Sequence, residues 1–122
     1  MRRRETESGK STPDQTWIAR TVLVIGAARQ GLALADYLVR HGARVILNDM
    51  RPEEKLAATQ ASLAKQVADY PGSVRWVCGS HPLSLVEEVD LICISAGVPL
   101  SLSLVVKARE MGVPLSNDSQ IF

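Results

Sequence analysis

Three short stretches carry the residues able to do chemistry. The first is Gly26-Ala27-Ala28-Arg29-Gln30-Gly31, which closes the apolar run Thr21-Val22-Leu23-Val24-Ile25. It follows the spacing G-x-G-x-x-G, with Ala28 in place of the middle glycine. A strand that turns on glycine into a helix aims unpaired backbone N–H groups and about half a positive charge at whatever lies ahead, an arrangement suited to phosphate. The second stretch is Asp49-Met50-Arg51, with Asp49 placed 23 residues after Gly26. A carboxylate at the end of the second strand suits hydrogen bonds from a ribose or a base edge, and an arginine beside it suits a base face or a phosphate. The third is Ser95-Ala96-Gly97, where glycine lets backbone and ligand approach closely. Each stretch also has a plain structural reading. Gly26 and Gly31 can serve only a tight turn and helix–strand packing, Asp49 a cap, Arg51 a solvated surface, and 95–97 a turn without a ligand.

Other chemistries find little support. His81 precedes Pro82 with no nucleophile or paired carboxylate assigned beside it, so a helix-start or surface role is expected. His41 suits the negative end of a helix. No Cys/His cluster has metal-ligand spacing, and no catalytic or metal-binding residue is assigned. Gly9-Lys10-Ser11 imitates the end of a P-loop, but Arg4 stands where its first glycine would be. Cys78 and Cys93 lack the CxxC spacing and read as small core residues in a reducing compartment.

The elements that must position these stretches alternate between strand and helix. Strands are expected at about 21–25, 44–48, 74–78, 90–95 and 113–116. Helices are expected at about 29–41, 52–68, 82–88 and from an N-cap at Ser101 to Gly112. In the first helix Gly31, Leu34, Ala35 and Leu38 form one buried stripe, Asp36 and Arg40 pair on the far side, and Gly42 ends it. The second helix has only Leu56, Leu63, Val67 and alanines to turn inward. Short connections between alternating elements predict an α/β fold: a Rossmann-like, doubly wound, five-stranded parallel sheet of order 3-2-1-4-5. Such sheets bind ligands past the carboxyl ends of their strands where the winding reverses, and 26–31, 49–51 and 95–97 converge there.

Composition agrees with one globular domain. The 122 residues are 46% hydrophobic and 22% charged, with a formal net charge of +1. That balance gives no field favouring nucleic acid or an anionic membrane. Residues 1–16 hold no large apolar side chain after Met1, so a disordered tail is expected there, with Trp17 and Ile18 docking it on a domain spanning 17–122. No run is long enough to span a membrane and the N-terminus has no signal-peptide core, which predicts a cytoplasmic protein.

Taken together, VLVIGAARQGLALADYLVRHGARVILND, ISAGVPLSLSLVVKAREMGVPLSN and the terminal NDSQIF resemble the N-terminal domain of the D-glutamate-adding Mur ligases, UDP-N-acetylmuramoyl-L-alanine–D-glutamate ligases. The resemblance covers about residues 20–122, and ISAGVPLS is its most specific part. It implies a domain that holds the UDP part of UDP-N-acetylmuramoyl-L-alanine. Ala28, Arg29, Gln30 and Gly31 would face the diphosphate, Asp49, Met50 and Arg51 would surround uracil and ribose, and Ser95, Ala96 and Gly97 would close the pocket. Ala28 stands where the family usually has glycine, Arg29 where an apolar residue is common, and Ala96 where proline is common. The family's reaction activates the substrate carboxylate with ATP and magnesium as an acyl phosphate, then joins it to the amine of D-glutamate. Those cofactors belong to the full-length enzyme, whose central ATPase and C-terminal ligase domains lie outside this chain; this stretch alone is expected to be inactive. The competing expectations are a free-standing NAD(P)-binding domain of an oxidoreductase or sensor, with Asp49 on the adenosine ribose, and an interaction domain with an empty cleft.

Overall fold

A computed structural model describes residues 17–95 and 97–117. The expected tail, Ala96 and most of NDSQIF lie outside the described residues. Five strands, β1 (Thr21–Ile25), β2 (Arg44–Asp49), β3 (Ser73–Cys78), β4 (Leu91–Ile94) and β5 (Leu115–Asn117), form one parallel sheet of order β3-β2-β1-β4-β5. The fold expected from the alternating pattern is the one observed.

Side chains of β1 point alternately to opposite faces, and this divides the core in two. Val22 and Val24 pack with Val45, Leu47 and the buried stripe of α1 (Arg29–Arg40), together with Leu56, Leu63 and Val67 of α2 (Glu53–Val67). Leu23 and Ile25 pack with Ile46, Ile92 and Ile94 on the other face, under Leu85 and Val86 of a 3-10 helix (Leu83–Glu88) and Leu104, Val105 and Ala108 of α3 (Ser103–Glu110). Both faces of the three central strands are therefore dry, which is why they read as unbroken apolar runs rather than alternating ones.

The stripe of α1 is buried as expected, with Val39 added to it. The Asp36–Arg40 ion pair forms on its outer side, and Arg40 also donates to the Tyr70 hydroxyl at 2.9 Å. His41 caps the C-terminal end of α1, with Nδ1 2.7 Å from the Tyr37 carbonyl.

Four local expectations are corrected. Ser101 is not an N-cap: Leu102 N–H closes a turn on the Pro99 carbonyl at 3.1 Å, so the chain is still turning there and α3 begins two residues later with no side-chain cap. The segment after β3 is 3-10, begun at Leu85 N–H onto the Pro82 carbonyl. Pro52 flanks α2 with extended backbone, ψ 157°, instead of opening its first turn. Of the two residues assigned to docking, Trp17 packs on the core while Ile18 is 58% exposed.

Candidate functional site

Parallel order places the carboxyl ends of β1, β2 and β4 side by side, and hydrogen bonds tie the three tips together. Gly26 leaves β1 at φ +102°, a conformation that L side chains rarely adopt, and its N–H reaches the Asn48 carbonyl at 2.7 Å. Ala27 N–H then donates to Asp49 Oδ2 at 2.8 Å. On the other flank the Ser95 hydroxyl donates to the Gly26 carbonyl at 3.1 Å. Gly31 packs so closely against this turn that a Cβ there would lie 2.0 Å from the Gly26 carbonyl oxygen and 2.9 Å from Ser95 Oγ. The two glycines thus do serve packing, and that packing is what brings the helix start to the tips of β1 and β4.

Asp49 is the hub of the arrangement. Its Oδ1 accepts from the Arg51 N–H at 2.9 Å and Arg51 Nε at 3.0 Å, while Oδ2 accepts from Ala27 N–H and from Arg51 Nη2 at 2.9 Å. A carboxylate offers about four lone-pair positions, so this one is filled by its own chain. The side-chain hydrogen bonds from Arg51 hold its carboxyl well below the usual carboxylate range; burial opposes them, and the backbone N–H groups of Arg51 and Ala27 add to them. Arg51 is held as a guanidinium by the same pair and also reaches the Ala27 carbonyl at 3.3 Å. Its outer edge remains in solvent, the side chain being 51% exposed.

Of the residues assigned from sequence, Ala28, Arg29, Gln30, Met50, Arg51 and Gly97 are exposed at the rim; Gly31, Asp49 and Ser95 are buried beneath it. Ala96 lies outside the described residues. Ala28 is the N-cap of α1, and it has no side-chain acceptor to spend on the first-turn N–H groups, nor is there an acidic residue in that turn. Nothing lies within 4 Å of a Cβ built on Gly97.

Sequence reasoning missed one residue at this edge. Asn48 is fully buried; its amide donates to the carbonyls of Val77 at 2.9 Å and Ser80 at 2.7 Å, while its Oδ1 meets His81 Nδ1. A polar residue closing the apolar run Val45-Ile46-Leu47 was the available signal. Cys78, in register with Asp49, is half-buried and its thiol is pushed up, first by burial and then by the nearby Glu53 carboxylate, which makes it a poor nucleophile.

A family model described as "Mur ligase MurD-like, N-terminal domain" matches residues 20–117. The chain belongs to that family. A MurD-like N-terminal domain is therefore the unit whose strand tips converge here. Among its relatives, the UDP-N-acetylmuramoylalanine–D-glutamate ligase of Geobacillus kaustophilus is 37% identical over 111 residues, covering 89% of this chain and 23% of the relative. The ligase of the same name from Exiguobacterium sibiricum is 39% identical over 103 residues, covering 84% of this chain and 21% of the relative. The chain thus spans about a fifth of the length of the ligases it matches. A pseudomurein peptide ligase type C from Methanothermus fervidus shares the fold, with TM-score 0.62 at 24% identity over 84% of this chain and 20% of that one. A minor L-lactate dehydrogenase from Enterococcus mundtii does so at TM-score 0.54 and 16% identity, over 81% and 38% of the two chains. At those identities the likeness speaks for the sheet and helices alone. The family match sets this MurD-like domain with the Mur ligases and apart from the NAD(P)-binding oxidoreductases. Among the described residues no helix is long and apolar enough to cross a membrane, and no three His, Cys, Asp or Glu side chains gather as metal ligands.

Proposed function

We propose that this domain holds the UDP moiety of UDP-N-acetylmuramoyl-L-alanine for a ligase that adds D-glutamate in peptidoglycan synthesis. The observation that carries the reading is the uncapped start of α1, wedged between the tips of β1 and β4 and linked through Ala27 to Asp49. The diphosphate would accept from the first-turn N–H groups at Arg29, Gln30 and Gly31, where Ala28 leaves them unspent. The Arg29 side chain and the free edge of Arg51 add positive charge. Uracil and ribose would lie over Asp49, Met50 and Arg51, with Ser95, Ala96 and Gly97 closing the other side. Asp49 acts chiefly by fixing the glycine turn and Arg51, because its acceptor positions are filled. Met50, 61% exposed, offers an apolar surface to the base.

The ligation itself, an ATP- and magnesium-dependent amide synthesis in the cytoplasm, would depend on parts of the longer protein, and these 122 residues alone would not catalyse it. The test is an NMR titration of this chain with UDP-N-acetylmuramoyl-L-alanine. Chemical-shift changes confined to 29–31, 49–51 and 95–97 are expected at millimolar ligand. An unchanged spectrum, or tighter binding of NADH, would refute the reading.

A further inference from the structure

A nucleoside brings donors as well as acceptors: ribose hydroxyls, and an imide N–H if the base is uracil. A site that recognises it needs an acceptor with a free lone pair. The obvious acceptor, Asp49, has its positions taken by Ala27 and Arg51. Ser95 keeps its oxygen lone pairs after donating to the Gly26 carbonyl, but the residue is buried under the glycine turn, away from solvent. Besides the exposed Gln30 amide, which lies at the diphosphate end, a ring nitrogen at this edge is left over.

That nitrogen belongs to His81. Asn48 has its amide orientation fixed, since Nδ2 faces two carbonyl oxygens, those of Val77 and Ser80, and only an NH2 group can satisfy both. The atom facing His81 Nδ1 at 2.5 Å is therefore Oδ1, an acceptor, so Nδ1 must carry the proton. In the neutral ring Nε2 then bears a lone pair, and it has no hydrogen-bond partner among the described residues. Pro82 follows and restricts the His81 backbone to extended conformations. Gly79 N–H bonds the Asp49 carbonyl at 2.9 Å, which holds the loop against the tip of β2. Asn48 thus serves both sides of β2: its carbonyl positions Gly26 and its side chain fixes the tautomer of His81.

We propose that His81, held as the Nδ1–H tautomer by buried Asn48, presents Nε2 as the hydrogen-bond acceptor for the nucleoside of the bound ligand. The inference rests on the UDP reading above and adds a residue from β3's loop to it.

The test compares this chain with two variants, using UDP and inorganic pyrophosphate as probes. His81→Asn keeps a donor to Asn48 and removes the Nε2 position; His81→Gln keeps an acceptor near it. Losing one neutral hydrogen bond should weaken UDP binding about three- to tenfold in His81→Asn, with partial recovery in His81→Gln. Pyrophosphate binding should be unchanged in both. Equal UDP affinity in all three proteins, or an equal loss for pyrophosphate, overturns the inference and leaves the UDP site standing. Failure of the unaltered chain to bind UDP removes both. If His81→Asn does not fold, long-range 1H–15N correlation on the unaltered chain decides. Nδ1 should be the protonated nitrogen and Nε2 should shift on adding UDP; an Nε2–H tautomer or an unmoved Nε2 resonance refutes the assignment.

Discussion

At the scale of single residues, two glycines separate packing from conformation. A Cβ on Gly31 would sit 2.0 Å from the Gly26 carbonyl oxygen, which is backbone and cannot yield without moving the turn. Alanine gains about 1 kcal/mol of helix propensity over glycine, but forcing the turn apart costs about 1–3 kcal/mol or more, so the clash should win. Gly31→Ala should lower the urea midpoint and abolish UDP binding. Gly97 has open space around it and only a φ of +92° to satisfy, so Gly97→Ala should cost about 1–2 kcal/mol and no more. Similar losses in the two variants would show that the contact at Gly31 does not govern the turn. Asp49 gives a pH prediction. Its folded carboxyl is depressed below the unfolded value of about 3.9, so its contribution is complete above pH 4 and drains away as acid protonates it. Asp49→Asn should therefore flatten the fall in stability between about pH 4 and pH 2, seen as urea midpoints of the two proteins that converge toward acid. What the sequence disclosed at this scale was position. A carboxylate at the end of an apolar run was legible, but the saturation of its lone pairs by Arg51 and Ala27 was not. The Asn48–His81 contact spans a separation of 33 residues and leaves no local pattern to read.

At the scale of elements, apolar runs and one helical stripe were enough to place β1 to β5 and α1 to α3, because a parallel sheet dry on both faces has few other ways to be written. The ends were harder to place. Ser101 has the chemistry of a cap, yet Pro99 and Leu102 close a turn around it, and that competition is settled by backbone geometry alone. The start of α1 shows the opposite trade. An N-cap alanine forgoes the roughly 0.5–2 kcal/mol that Ser or Asp would contribute there. Ala28→Asp should recover about that much in the free protein, since the N-cap backbone is already extended at φ −86° and ψ −175°. The same carboxylate would occupy the first-turn N–H groups and repel a diphosphate. Thermal melts should therefore show Ala28→Asp more stable than the unaltered chain, while titration shows it binding UDP at least tenfold more weakly, about 1.4 kcal/mol or more. A variant that is stabilised and still binds fully would mean the ligand does not use that helix end.

At the scale of the whole molecule, this domain would act as a handle. It spans 23% of the Geobacillus ligase. A handle far from the reacting carboxylate grips substrate and transition state alike, and uniform binding of that kind lowers KM without raising kcat. Isolated, the domain should bind UDP-N-acetylmuramoyl-L-alanine with about 4–7 kcal/mol, a Kd between millimolar and tens of micromolar, because one domain must offset the loss of ligand freedom with its own contacts alone. Within a full-length ligase carrying this domain, Arg51→Ala removes the exposed guanidinium and, with it, one of the two hydrogen bonds on each Asp49 oxygen, the backbone N–H bonds remaining. Hydrogen bonds to charged groups are worth about 1.5–3 kcal/mol, so KM for the UDP substrate should rise by about 10- to 150-fold while kcat stays within about twofold. A fall in kcat at saturating substrate would place the domain's grip inside the chemical step, where binding energy is spent on orienting the carboxylate, and would end the account of a passive handle.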